Sequence, residues 1–181
     1  GGKGGGTRGK LRRVLRAFAM HNQRVCYCQG MNFVAMALLE GVCEGDECLA
    51  FWILVGLCER VDLEGMWVPG LHRLEFCFFA LQRLLEVHCP PLLNHLQAEG
   101  VSLSMLTSRW FVTLFTSNDV FGNGAVLKIL DMFLVERWPL IFRVSVAVLL
   151  EMRPILEPLD LEGIMAAMRF PRARLFGLPE R

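Results

Sequence analysis

The chain has 181 residues, of which 54% are apolar and 20% charged, with a formal net charge of +1. That length and apolar content suit one domain with a real core and exclude a disordered chain. The near-neutral balance offers no global electrostatic basis for a nucleic-acid partner, and none is expected. Mean hydropathy is +0.41, yet the longest run without Asp, Glu, Lys or Arg is the fifteen residues Val25 to Leu39. A bilayer span needs about 18, so no transmembrane segment is expected and membrane association is at most peripheral.

In chain order, residues 1–10 read as a glycine-rich flexible tail, with none of the apolar core of a secretory signal, which places the chain in the cytoplasm. Gly4-x-Gly6-x-x-Gly9 and Gly4-xxxx-Gly9-Lys10 imitate nucleotide-binding loops. Both motifs require an upstream strand, and the second needs a hydroxyl where Leu11 stands, so neither supports a bound nucleotide cofactor. From Lys10 to His21 the stripe Leu11, Val14, Leu15, Phe18 predicts an amphipathic helix with Arg12, Arg13 and Arg16 on its solvated side. After the polar break His21-Asn22-Gln23-Arg24, residues Tyr27 to Cys43 are apolar nearly all round, the pattern of a buried helix.

Further helices are expected at Cys48–Arg60, at Leu71–Leu85 up to the Cys89-Pro90-Pro91 stop, at Leu92–Ala98, Leu106–Thr116 and Ala125–Glu136. Another runs from Trp138 to about Met152, and Pro154 and Pro158 precede a last one at Asp160–Met168. Val144–Val148 alone alternates like a strand, without flanks for a sheet. The fold class is therefore all-α, an irregular array of eight to ten helices. Its domain runs from 11 to 170, followed by a tail at 171–181.

Seven cysteines at irregular positions do not form a disulfide framework. Cys43, Cys58 and Cys77 lie in apolar runs and read as small hydrophobes. Cys26-x-Cys28 with Cys43-x4-Cys48 is a poor match to zinc spacing, and no metal is expected. His21, His72, His88 and His95 have no paired carboxylate at a spacing that suggests catalysis. Where the polar break meets the buried helix, Tyr27-Cys28-Gln29-Gly30-Met31-Asn32 places an amide and a glycine. Taken alone, Gln29 reads either as a cap or satisfied core amide or as a functional group.

The phrase Leu11 to Ala19, then Asn22, then Tyr27-Cys-Gln-Gly-Met-Asn-Phe33, resembles the TBC-domain family of GTPase-activating proteins for Rab GTPases. The likeness continues through Ala50-Phe-Trp52, Ser108 to Phe115, Val126 to Asp131 and Phe142-Arg143, and covers about Leu11 to Arg169. It implies a helical domain whose partner is a Rab-family GTPase in its GTP- and Mg²⁺-bound form, with roles in vesicle trafficking and intracellular transport. Such a domain carries out no reaction of its own and holds no cofactor. The resemblance assigns the family's glutamine finger to Gln29, which would orient the attacking water in the partner's site. Gly30 would allow close backbone approach, and Tyr27 and Asn32 would brace the loop.

The resemblance also implies an arginine finger in an I-x-x-D-x-x-R motif upstream of the first matched helix. No such run occurs in the 181 residues, and Arg8 lacks its context, so no residue is given that role. The alternative expectation is a catalytically silent module that binds a GTPase or adaptor. Gln23, Cys26 and Leu130 stand where the family usually has proline, glycine and tryptophan.

Overall fold

The glycine-rich start is helical. In the computed structural model, which describes residues 3–117, 120–169, 171 and 175, the first helix α1 spans Lys3–His21. The flexible tail expected at residues 1–10 is thus corrected for residues 3–10, while Gly1 and Gly2 lie outside the described residues. Glycine is a poor helix former, by about 1 kcal/mol per residue against alanine. What extends the helix is propagation from an anchored end. Val14 and Phe18 are buried, Lys10 Nζ donates to the Gly45 carbonyl at 2.8 Å, and Arg13 grips both oxygens of Glu47 at 2.7 Å. The Arg13 guanidinium holds the Glu47 carboxyl below the usual carboxylate range.

Eight more α-helices follow among the described residues: α2 (Met31–Ala37), α3 (Glu47–Val61), α4 (His72–His88), α5 (Pro90–Ala98), α6 (Leu103–Thr113), α7 (Asn123–Glu136), α8 (Trp138–Leu156) and α9 (Leu161–Arg169). The all-α expectation holds. The long helix expected from Tyr27 to Cys43 begins only at Met31, and it passes into a π-helical turn at Leu38–Val42. A 3₁₀ turn, Glu64–Met66, follows α3. α8 runs through Pro154 to Leu156, past its expected end near Met152. The proline removes a bond to Leu150, but the fully buried Met152 and Leu156 keep the turn docked, and α8 stops one residue short of Glu157. His95 on α5 then donates from Nε2 to the carbonyls of Leu156 and Leu159, at 3.2 and 2.9 Å. The boundary expected at 170/171 falls where residues 170, 172–174 and 176–181 lie outside those described.

The helices pack as interleaved pairs, α1 against α3, α4 against α6 and α8, and α7 against α8, with α2 lodged among α1, α3 and α6. Phe111 on α6, fully buried, joins three of them, its ring 6.2 Å from Phe78 on α4 and 5.4 Å from Phe142 on α8. Trp138 opens α8 and donates through Nε1 to the Val61 carbonyl at the end of α3, 2.9 Å away. Phe18 of α1 sits edge-on to Trp67, just past the 3₁₀ turn, at 6.4 Å. Cys43, Cys58, Cys77 and Cys89 are all buried. Desolvation pushes the Cys58 thiol up to about 12 and the Cys77 thiol to about 11.

Two outcomes are expected from this packing. Phe111→Ala loosens three helices at once and should lower unfolding free energy by about 3–5 kcal/mol in urea titrations. Iodoacetamide at pH 8 should modify the exposed Cys26 and Cys48 in the native protein. Cys58 and Cys77 should react only after denaturation, as read by peptide mass spectrometry.

Candidate functional site

Between α1 and α2 the chain makes a short loop that ends in a tight turn. Met31 N–H donates to the Cys28 carbonyl at 3.2 Å, which leaves Gln29 and Gly30 as the two central residues of that turn. Gly30 has φ 111° and ψ −29°, a conformation that a turn of this kind reserves for glycine. A Cβ on residue 30 would stand 2.7 Å from Val112 Cγ1 and 3.4 Å from Thr113 Cγ2, both on α6. Gly30 therefore satisfies two demands together, a left-handed backbone and a close approach to a buried helix.

The far side of the turn is pinned by Met31, whose side chain is fully buried and whose Sδ accepts from Cys28 N–H at 3.1 Å. Val112 is itself held, because Trp67 Nε1 donates to its carbonyl at 3.0 Å. Gln29, one residue ahead of the glycine, is exposed. Among the described residues nothing hydrogen-bonds its carboxamide, and Gly30, not Gln29, occupies the N-cap of α2. Of the readings open at the sequence level, the cap and the satisfied core amide are excluded. What remains is a carboxamide in solvent on a fixed backbone, able to accept a hydrogen bond through its oxygen and donate two through its nitrogen.

Tyr27 is 55% exposed and Asn32 half-buried, and among the described residues neither side chain makes a hydrogen bond. The hydrogen bonds that shape the loop come from Asn22, at the end of α1. Its Oδ1 accepts from the backbone N–H of Arg24 and of Val25, both at 3.1 Å. Its own N–H donates to the Phe18 carbonyl at 2.7 Å, and its carbonyl accepts from Cys26 at 3.0 Å. Its Nδ2 donates to Glu64 Oε2 at 2.9 Å. An asparagine after a helix is a sequence-level sign of such a local turn, but Glu64 is 42 residues away and carries no local signal.

Cys26, where the resemblance has glycine, takes φ 54°, so the left-handed conformation is kept without the residue that adopts it most easily. Desolvation raises the pKa of the half-buried Cys28 thiol. No group of three or more His, Cys, Asp or Glu residues among those described is disposed to hold a metal ion. A groove of about 840 Å³ between α4 and α8, lined by residues such as Phe76, Phe79, Phe142 and Leu150, includes none of the residues of the turn.

Two substitutions separate the strain at the two left-handed positions. Gly30→Ala should lower stability by about 2 kcal/mol or more, from backbone strain together with the clash on Val112. Cys26→Gly should change it by less than about 0.5 kcal/mol, since relief of strain offsets the added chain entropy. Urea titration of each variant measures both.

A family model, the Rab-GTPase-TBC domain, matches residues 2–156, beginning ahead of the boundary expected at Leu11. Among curated proteins, the Rab GTPase-activating protein tbc-11 of Caenorhabditis elegans is 33% identical over 166 residues, 92% of this chain and 17% of that protein. The Rab GTPase-activating protein eat-17 of the same organism is 36% identical over 162 residues, 88% of this chain and 18% of that protein. The chain thus spans under a fifth of the length of these relatives. Among solved structures, the Chlamydomonas flagellar RabGAP TBC domain superposes with a TM-score of 0.80 at 27% identity, over 93% of this chain and 55% of that one. The Ypt/Rab-GAP domain of Gyp1p shares the fold, with a TM-score of 0.75 at 22% identity over 90% of this chain and 58% of that one. By that family-model match and these identities, this chain belongs to the Rab-GTPase-TBC domain family.

Proposed function

We propose that this domain accelerates GTP hydrolysis on a Rab-family GTPase by inserting the Gln29 carboxamide into the partner's active site. The observation that carries this reading is the exposed, unengaged carboxamide on a turn fixed by Gly30 and Met31. Phosphoryl transfer needs little covalent chemistry from the protein, and it responds to the positioning of water and to charge stabilisation. A glutamine oxygen accepts from the attacking water while its NH₂ donates to an oxygen of the nucleotide. GTP and Mg²⁺ belong to the partner, so the domain needs neither a cofactor nor a pocket of its own.

Family membership supports the partner class, since the curated relatives are themselves Rab GTPase-activating proteins. No helix of the described residues is long and apolar enough to cross a membrane. We place the domain in the cytoplasm, recruited to endomembranes by the Rab it acts on. Tyr27, exposed beside the turn, is assigned to the surface that the partner covers. Gly30 and Asn32 act from behind it, as the seat and the first turn of α2.

The test is single-turnover hydrolysis by a panel of GTP-loaded Rabs. The wild-type chain should accelerate at least one of them, and Gln29→Ala should abolish the acceleration with its melting temperature unchanged. An arginine supplied in trans is worth about 10³–10⁵ in rate, so the acceleration by a chain without that finger should fall below that of an activator that has both. Binding of GTP-loaded Rab with no acceleration, equal in wild type and Gln29→Ala, would instead identify a silent binding module.

A further inference from the structure

We propose that Glu64 is a positioning residue for Gln29, acting through Asn22; this rests on the glutamine reading above. Glu64 lies in the 3₁₀ turn after α3 and its side chain is only 17% exposed. Oε2 accepts from Asn22 Nδ2 at 2.9 Å, while Oε1 faces Arg24 Nη1 at 3.1 Å without hydrogen-bond alignment. The Arg24 side chain is 82% exposed, and an ion pair so open to water contributes little. The contact that matters is the one to Asn22.

An asparagine amide has two faces related by a half-turn, one an acceptor and the other a double donor. The backbone N–H groups of Arg24 and Val25 both need the acceptor face. Glu64, as an acceptor opposite Nδ2, satisfies the other face and ties the side chain to the segment after α3. With Glu64 removed, Nδ2 loses its partner and the Asn22 side chain its tether, so the acceptor that closes the near end of the loop is held less firmly. The far end is held independently, by Met31 and by Gly30 on Val112. The same segment braces both ends, since Trp67, three residues after Glu64, fixes the Val112 carbonyl. Gln29 lies between these two anchors, so loosening one displaces an amide whose use depends on position. A displacement of about 1 Å is enough to lower a rate about 100-fold.

The experiment measures single-turnover hydrolysis by a responsive GTP-loaded Rab as a function of the concentration of this chain. This separates the maximal rate from half-saturation. Glu64→Ala should lower the maximal rate roughly 10- to 100-fold with half-saturation nearly unchanged. Glu64→Gln, which keeps an acceptor for Nδ2, should remain within about 3-fold of wild type. Amide hydrogen exchange at Arg24 and Val25 should quicken in Glu64→Ala and not in Glu64→Gln. Asn22→Asp, which sets two carboxylates face to face, should lose rate, and adding Glu64→Gln should restore it by supplying a donor. That pair decides the matter if Glu64→Ala fails to fold. A Glu64→Ala variant with the wild-type maximal rate, or an Asn22→Asp defect that Glu64→Gln does not rescue, overturns the proposal while Gln29→Ala remains inactive. If Gln29→Ala itself matches wild type, the glutamine reading falls first, and the positioning role falls with it.

Discussion

A missing side chain at residue 30 is the constraint from which the site is built. Because Gly30 has no Cβ, the turn before α2 settles against Val112 of α6 while its backbone takes φ 111°. Any other residue meets a steric objection on both counts. The turn is thereby referred to α6, whose Phe111 and Trp110 are buried in the core. Exposed side chains ordinarily sample many rotamers about a mobile loop. Here the backbone beneath the exposed carboxamide inherits the rigidity of a helical core, and only the side-chain torsions remain free.

This arrangement is compatible with the proposed delivery of Gln29 into a partner's site. The glycines that imitate a phosphate loop lie within α1 and not in a loop between a strand and a helix, which that motif requires. Lys10, the would-be phosphate lysine, is engaged with the Gly45 carbonyl. The groove between α4 and α8 is lined by phenylalanines and aliphatic side chains, its arginines Arg83 and Arg143 being paired with Glu86 and Glu136. Nothing there resembles a nucleotide site. Under the proposed reading, an activator that borrows its partner's nucleotide needs a projecting group on a firm base, and Gln29 is exposed on a turn seated by Gly30.

The departures from the family pattern leave readable traces. Cys26 holds a left-handed conformation that a glycine would take without strain, with its thiol donating to the Gln23 carbonyl at 3.3 Å. Leu130 on α7, where the resemblance has tryptophan, is buried but borders a cleft of about 340 Å³ with Leu38, Ile53 and Leu57. A smaller side chain at that position leaves room between α3 and α7 that a wider ring would occupy.

Helical class and most helix positions were legible in sequence, because they depend on neighbours three or four residues away, whereas Gln29 stood out only within a contiguous motif that left cap, core and functional readings open. The stripe Leu11, Val14, Leu15, Phe18 and the stop at Pro90 speak for themselves in this way. Tertiary structure decided what depends on residues far apart in the chain. The helical state of residues 3–10 rests on docking to Gly45 and Glu47, and the persistence of α8 through Pro154 on the burial of Met152 and Leu156. Glu64 reaches Asn22 across 42 residues, and Val112 meets Gly30 only because α2 and α6 cross there. Periodicity records local hydrogen bonding and burial, whereas the choice of which distant groups will touch is made only when the helices pack.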